Sequence, residues 1–454
     1  VYRKLARQAQ RYPALLIDEL SDDAPGARAL DPRDLAFAHA IYDTVIARWA
    51  TLEHLLQPCL NQPVHELEAR MRAVVLAGAA QLLLLDKVPA YAAINNAVQW
   101  AKERIRPGAG AMVNAVLRRI ARLRPPALDP DAPRPTFTGA RNELPLADGT
   151  CIVLAEDALP EDPTERLAAA CSLPTELVLA WTRHQSAADV RRLALHTLGD
   201  PPTILNTTYA TSPLAAEHAA LLTPHTVPGH HVFTGTRSSL VALLAARTDV
   251  WVQDPASSAS LAMLSDLDLD PDGGLIIDAC AGQGTKTRQL AAMFPRASIV
   301  AADTDRRRSE ALARSFEHHP RVKVVPHASL REHYTHKAHL VVLDVPCSNT
   351  GVIARRPEAK YRFSKDSVAS VVALQRQIIA DAIPLLRDGR DGPARGMILY
   401  STCALEPAEN EDQAEWACQW HRFRVERHSH VAPAGGPGLP PTAWTDASYA
   451  ALLA

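Results

Sequence analysis

The chain has 454 residues, 47% of them apolar and 22% charged, with a formal net charge of −2. That length exceeds one ordinary core and predicts several domains, and the composition is that of globular protein rather than of a disordered or collagen-like chain. No run of eighteen apolar residues occurs, so no membrane span is expected, and the near-neutral charge confines any phosphate contact to local patches.

The first residues, Val1-Tyr2-Arg3-Lys4, include no Met and no apolar stretch of the signal-peptide kind, as expected of a chain trimmed at its start. Residues 1–124 read as helices only. Ala38, Ile41, Val45, Trp49, Leu52 and Leu56 recur at helical spacing, as do Met71, Val74, Val75, Leu82 and Leu83. After Pro89 a third stripe carries Ile94, Val98, Ala101 and Ile105. Pro107-Gly108 breaks it, and a last helix carries Met112, Val113, Val116, Leu117 and Ile120. The pattern predicts a small all-α bundle.

Prolines at 125, 126, 130, 133, 135, 145 and 160 mark 125–163 as a linker or irregular insertion. Residues 164–270 mix helix and strand: Asp189–Leu198 reads as helix, Thr203–Leu205 and His231–Phe233 as short strands. From 271 to the end the pattern is strand, turn, helix, repeated. Candidate strands are Leu275–Ile277, Ile299–Ala302, Val322–Val325, Leu340–Leu343 and Met397–Tyr400, each apolar on both faces as buried parallel strands are. Before the last of them lies a helix predicted to face inward through Val371, Leu374, Ile378, Ala382 and Leu385. The prediction is a multidomain chain, an all-α bundle followed by an α/β Rossmann-like domain.

The first strand of that domain runs into Ala279-Cys280-Ala281-Gly282-Gln283-Gly284-Thr285-Lys286. Glycines let the backbone approach a ligand, and free N–H groups at the start of the next helix favour polar or anionic groups. Asp303 closes the second strand, where an acidic residue accepts hydrogen bonds from ribose hydroxyls. Cys280, Ala281, Gly282, Gln283, Gly284, Thr285, Lys286 and Asp303 are therefore candidates for an adenosine-type cofactor. A turn of this kind also serves nicotinamide enzymes, or nothing.

Two cysteines follow the last two candidate strands. Asp344-Val345-Pro346-Cys347-Ser348 comes after Leu340–Leu343, and Ser401-Thr402-Cys403 after Met397–Tyr400. Ligands of open α/β sheets bind at the carboxyl ends of strands, so both thiols, Asp344 and the glycine turn can meet in one crevice. Buried cysteines are often inert, but thiols at strand ends suit one reaction in particular. A thiolate adding to carbon 6 of cytosine makes carbon 5 nucleophilic enough to take a sulfonium methyl. A carboxylate at the base edge, Asp344, hydrogen-bonds N3 and stabilises that adduct; it can also border the cofactor. The seven cysteines form no C-x-x-C pair, which argues against a disulfide framework or a zinc site and predicts a reduced, cytoplasmic chain without metal.

At these residues the chain resembles the RsmB/Sun family of ribosomal RNA cytosine-5 methyltransferases, with the related NOP2/NSUN group behind it. The likeness covers nearly the whole chain except the proline-rich stretch, and rests on Tyr400-Ser401-Thr402-Cys403-Ala404-Leu405-Glu406-Pro407 and Asp344-Val345-Pro346-Cys347-Ser348-Asn349-Thr350-Gly351. Val252-Gln253-Asp254-Pro255-Ala256-Ser257 looks like the family's lead-in. The resemblance implies S-adenosylmethionine as cofactor, Cys403 as nucleophile and Cys347 in product release, with small-subunit (16S-type) ribosomal RNA as the substrate. The front end, at Leu84–Asn95 and Val113–Arg118, is similar to a NusB-like RNA-binding domain. The family usually has Ala-Pro-Gly-Gly where this chain has Gly282-Gln283-Gly284-Thr285, and an acidic residue where His327 stands.

Arg355, Arg356, Lys360, Arg362 and Lys365 form a basic run after the Cys347 motif, interleaved with Tyr361 and Phe363. Arg355, Arg356 and Lys360 are predicted to touch RNA phosphates, with the aromatics stacking on bases. A target cytosine must leave any stack to reach a buried thiol. The chain is expected to act as a monomer. Two other readings stay open: a non-catalytic RNA-binding assembly factor, and a DNA cytosine-5 methyltransferase with Cys347 as nucleophile.

Overall fold

Met71–Leu83 is buried on every side of its helix, which is possible only at the centre of a bundle. A computed structural model describes residues 1–16, 31–125, 132–269, 274–388 and 395–454, and groups them into two compact units. The first takes Val1–Asp200 with Ile353–Ser364 and Gly436–Leu439, and the second takes the rest.

In the first unit α1 (Tyr2–Arg11), α2 (Pro32–Leu56), α4 (Ala90–Arg104) and α5 (Ala109–Leu123) surround or adjoin the central α3 (Ala69–Leu84). Asp31 caps α2 by accepting from the N–H groups of Arg33 and Asp34, with Pro32 at the first helical position. The stripes read from the sequence are the ones buried: Val45, Trp49, Leu52 and Leu56 on α2, and Val113, Val116, Leu117 and Ile120 on α5.

Where the prolines pointed to a linker, the structure has a hairpin over 132–163. Strands β1 (Glu143–Pro145) and β2 (Cys151–Val153) pair antiparallel, and Leu144, Cys151, Ile152, Leu154 and Leu159 join the bundle core. The prolines at 126 and 130 lie outside the described residues. Helices α6 (Pro163–Cys171), α7 (Thr175–Thr182) and α8 (Ala187–His196) also belong to this unit, so the expected 164–270 region is divided at Asp200.

The second unit opens with a four-stranded antiparallel sheet of order β4-β5-β3-β6. Its strands are β3 (Ile204–Asn206), β4 (Leu222–Pro224), β5 (His230–Phe233) and β6 (Trp251–Val252). The short α9 (Ala216–Ala219) precedes β4, α10 (Arg237–Ala246) packs Leu243 under the sheet, and α11 (Pro255–Ala262) leads onward.

Among the described residues seven strands then form the main sheet, in the order β12-β13-β11-β10-β7-β8-β9. They are β7 (Leu275–Asp278), β8 (Ser298–Ala301), β9 (Val322–Val324), β10 (Leu340–Asp344), β11 (Met397–Thr402), β12 (Val425–Val431) and β13 (Ser448–Leu453). The first five run parallel, while β13 lies antiparallel between β11 and β12. Helices α12 (Thr285–Met293), α13 (Arg306–Phe316), α14 (Leu330–Tyr334), α15 (Lys365–Ala382) and α16 (Glu411–His421) connect them. Connections leave in opposite directions from β7 and β10, so their carboxyl ends flank the topological switch point of the sheet, where such folds bind ligands.

The α15 helix with the turn after it, Lys365–Leu385, is long and apolar enough to cross a membrane by length and composition alone. Here it packs beside β10 and α16 as a sheet-covering helix. Its buried positions are Gln375, Ile379 and Ala382; Leu374, expected inward, is 46% exposed. Its buried face includes Gln375, whose Nε2 donates to the Pro346 carbonyl and to Glu409 Oε2 at 3.0 Å each.

Candidate active site

Strand β7 ends in Asp278, and the glycine turn brings the chain to α12. Gly284 has a φ of +91°, and a Cβ there would come within 2.4 Å of Phe316, so the position demands glycine twice over. The Gly282 N–H donates to Asp303 Oδ2 at 2.9 Å, and Asp305 N donates to Asp303 Oδ1 at 2.8 Å. The Asp303 carboxylate is thus held against the turn at the carboxyl end of β8. Each of its oxygens keeps a further lone pair, and a Cβ built on Gly282 would meet nothing within 4 Å. An acceptor pair beside an open backbone turn fits the ribose and polar end of an adenosine cofactor. Ala281 lies beneath the turn, Gln283 is exposed on it, and Thr285 starts the helix. Burial, then the carboxylates of Asp278, Asp344 and Asp303, push the Cys280 thiol far above the ordinary range.

Lys286, almost fully buried on α12, places Nζ 2.6 Å from Asp344 Oδ1 at the end of β10. Ser401 Oγ donates to the same oxygen at 3.0 Å from β11. Asp344 is therefore pinned from two sides yet keeps a partly exposed carboxylate. Behind it Asp278 accepts from Thr287 Oγ1 at 2.6 Å, and burial pushes its carboxyl up to about 7.

The two thiols meet. Cys347 Sγ lies 3.2 Å from Cys403 Sγ, and both residues are half-buried. Neighbouring parallel strands β10 and β11, in register from Leu340 with Met397 to Asp344 with Ser401, carry them. Asn349, in the left-handed region at φ +61°, donates from Nδ2 to the Cys347 carbonyl at 2.8 Å and sets Oδ1 3.5 Å from Cys403 Sγ. The Cys347 thiol first, then burial and the Asp344 carboxylate, hold Cys403 well above the ordinary thiol range, while Lys286 acts the other way. The role of Asn349 beside Cys403 was not read from the sequence; its place two residues after Cys347, in the loop after β10, was the available signal.

The basic run divides. Arg356 is exposed and Arg355 partly so. Lys360, expected on RNA, is 1% exposed in the first unit and donates from Nζ to the Ala47 carbonyl at 2.7 Å. Tyr361, expected to stack on bases, is buried there as well, with its hydroxyl donating to the Ile46 carbonyl at 2.8 Å and accepting from Trp49 N at 3.1 Å. Both serve the bundle core, because α2 is kinked at Arg48 and its freed carbonyls need donors. Among the described residues no cluster of His, Cys, Asp and Glu could hold a metal ion.

Residues 266–453 match the family model described as 16S rRNA methyltransferase RsmB/F, and residues 3–122 match the NusB family. The sheet order, the glycine turn and the paired thiols thus belong to an S-adenosylmethionine-dependent methyltransferase joined to a NusB-type helical region. The chain is 30% identical over 382 residues to the ribosomal RNA small subunit methyltransferase B of Thermus thermophilus, covering 84% of this chain and 77% of that one. It is 29% identical over 451 residues to the protein of the same name from Xanthomonas campestris, covering 96% and 92%. The chain belongs to the ribosomal RNA small subunit methyltransferase B family. The crystal structure of PH0851 shares its fold, with a TM-score of 0.68 at 18% identity over 100% of this chain and 98% of that one.

Proposed function

We propose that the chain methylates carbon 5 of a cytosine in small-subunit ribosomal RNA through a covalent bond to Cys403. The observation that carries this reading is the pair of sulfurs 3.2 Å apart at the ends of adjacent strands, beside a carboxylate pinned by a lysine. S-adenosylmethionine, when bound, supplies an electrophilic methyl group; Asp303 and the turn from Cys280 to Lys286 are the residues suited to hold it. The Cys403 thiolate adds to carbon 6 of the cytosine, and the electron pair displaced toward carbon 5 makes that atom the nucleophile for the methyl. N3 takes a proton from solvent as the adduct forms, and Asp344, ordered by Lys286 and Ser401, accepts a hydrogen bond from that N3–H and stabilises the adduct. Cys347, its own proton given up to solvent, then takes the proton from carbon 5 as thiolate; N3 returns its proton, the 5,6 double bond re-forms, and the Cys403 sulfur leaves as thiolate.

The helical region over 1–124 helps engage RNA, and exposed Arg356 with Arg355 contributes phosphate contacts. The chain acts as a monomer. Free thiols are required throughout, in keeping with a reducing, cytoplasmic site of action.

Trapping tests the mechanism. RNA carrying 5-fluorocytosine has no carbon-5 proton to lose, so incubation with S-adenosylmethionine should leave a protein–RNA adduct stable to denaturation. Mass mapping should place it on Cys403, and Cys403→Ser should abolish it. An adduct on Cys347 instead would overturn the assignment.

A further inference from the structure

Two buried carboxylates on the segment after Cys403 reach back to the loop that carries Cys347. Ser348 Oγ donates to Glu406 Oε2 at 3.0 Å, and the Thr350 hydroxyl donates to the same oxygen through a short bond. Ser348 N donates to Glu409 Oε2 at 2.9 Å, and Gln375 Nε2 spans Glu409 Oε2 and the Pro346 carbonyl at 3.0 Å each. Between Ser348 and Thr350 stands Asn349 with its positive φ. Asn enters that region more readily than most residues other than glycine, and here the residues on both sides of it are held. The grip on either side of Asn349 comes from one Glu406 oxygen.

We propose that Glu406 is a positioning residue for the thiol pair: by holding Ser348 and Thr350 it fixes Asn349 in its turn and so sets where Cys347 stands relative to Cys403. Hydrogen bonds to a buried carboxylate are stronger than those the two hydroxyls make to each other, which here span 3.3 Å. Thr350 also accepts from Leu405 N at 2.9 Å, so the same knot ties the loop to the strand end bearing Cys403. Its importance to turnover rests on the thiol-pair mechanism above; the placement itself does not.

Diamide, a diazene oxidant, tests the placement without RNA or cofactor. It takes two electrons and two protons from the thiols, becoming the hydrazine as one S–S bond forms. In the full chain, Glu406→Ala should slow the Cys347–Cys403 cross-link about tenfold, read by peptide mass mapping. Glu406→Gln, which keeps an acceptor oxygen, should recover most of that loss. Alkylation of Cys418 at the wild-type rate serves as the folding control, and Thr350→Val removes one grip should Glu406→Ala not fold. Cross-linking of a folded variant at the wild-type rate overturns the proposal. Methyl transfer is scored separately: Glu406→Ala should lower kcat with KM for RNA unchanged. Wild-type chain that cross-links as expected but never methylates RNA defeats the functional reading alone.

Discussion

Cys347 Sγ stands 3.2 Å from Cys403 Sγ, within hydrogen-bonding reach of it. Cys347 is the largest cause of the raised Cys403 value, followed by burial. An acid whose value is raised stays protonated to higher pH, so Cys347→Ala should move the iodoacetamide alkylation profile of Cys403 down, on the order of one pH unit. Lys286→Met removes a favourable cation and should move it up. A downward shift in Lys286→Met would contradict the arrangement.

Asp278 gives a second pH dependence. Burial holds its folded value near 7, above the ordinary carboxylate value of about 3.9. Its contribution to stability is fully present below the unfolded value and is lost as pH rises through about 7. Asp278→Asn should therefore gain stability relative to wild type between pH 5 and pH 8, on the order of 2 kcal/mol. Thermal melts across that range read the difference, and a constant offset would count against it.

Lys360 behaves in the opposite sense. Burial depresses its ammonium to about 7, so the unfolded chain binds the proton more tightly and stability rises with pH from about 7 toward 10. Lys360→Met should flatten that rise while leaving RNA affinity unchanged. Loss of RNA binding in a folded Lys360→Met chain would restore the phosphate role that its burial argues against.

Arg356, in contrast, remains on the surface. Arg356→Ala should weaken RNA binding and reduce the slope of log affinity against log salt by about 1, as for one lost phosphate contact. Filter binding at several salt concentrations measures it, and an unchanged slope would remove Arg356 from the interface.

The parallel strands were legible because each is apolar on both faces, and the bundle helices because their stripes hold the 3.6-residue period. Strand β13, Ser-Tyr-Ala-Ala-Leu-Leu, was not: alanines carry little strand preference, its edges are paired by β11 and β12, and its burial comes from α11 and α16 packed against it. Strand β12 is charged and histidine-rich because it is the sheet edge. The residues proposed for the chemistry could be read from the sequence because they follow strand ends. Lys360 and Tyr361 misled, because a basic, aromatic run looks alike whether its donors meet water or the carbonyls of a kinked helix. Glu406 gave no signal, since its partners lie on a loop more than fifty positions earlier.

The insertion of β13 also bears on when β11 can settle during synthesis. Until Leu453 has been made and has left the ribosome tunnel, β11 lacks a neighbour on one side, and the edge beside Cys403 stays open. A nascent chain would thus complete the glycine turn after β7 well before β11 gained both of its neighbours.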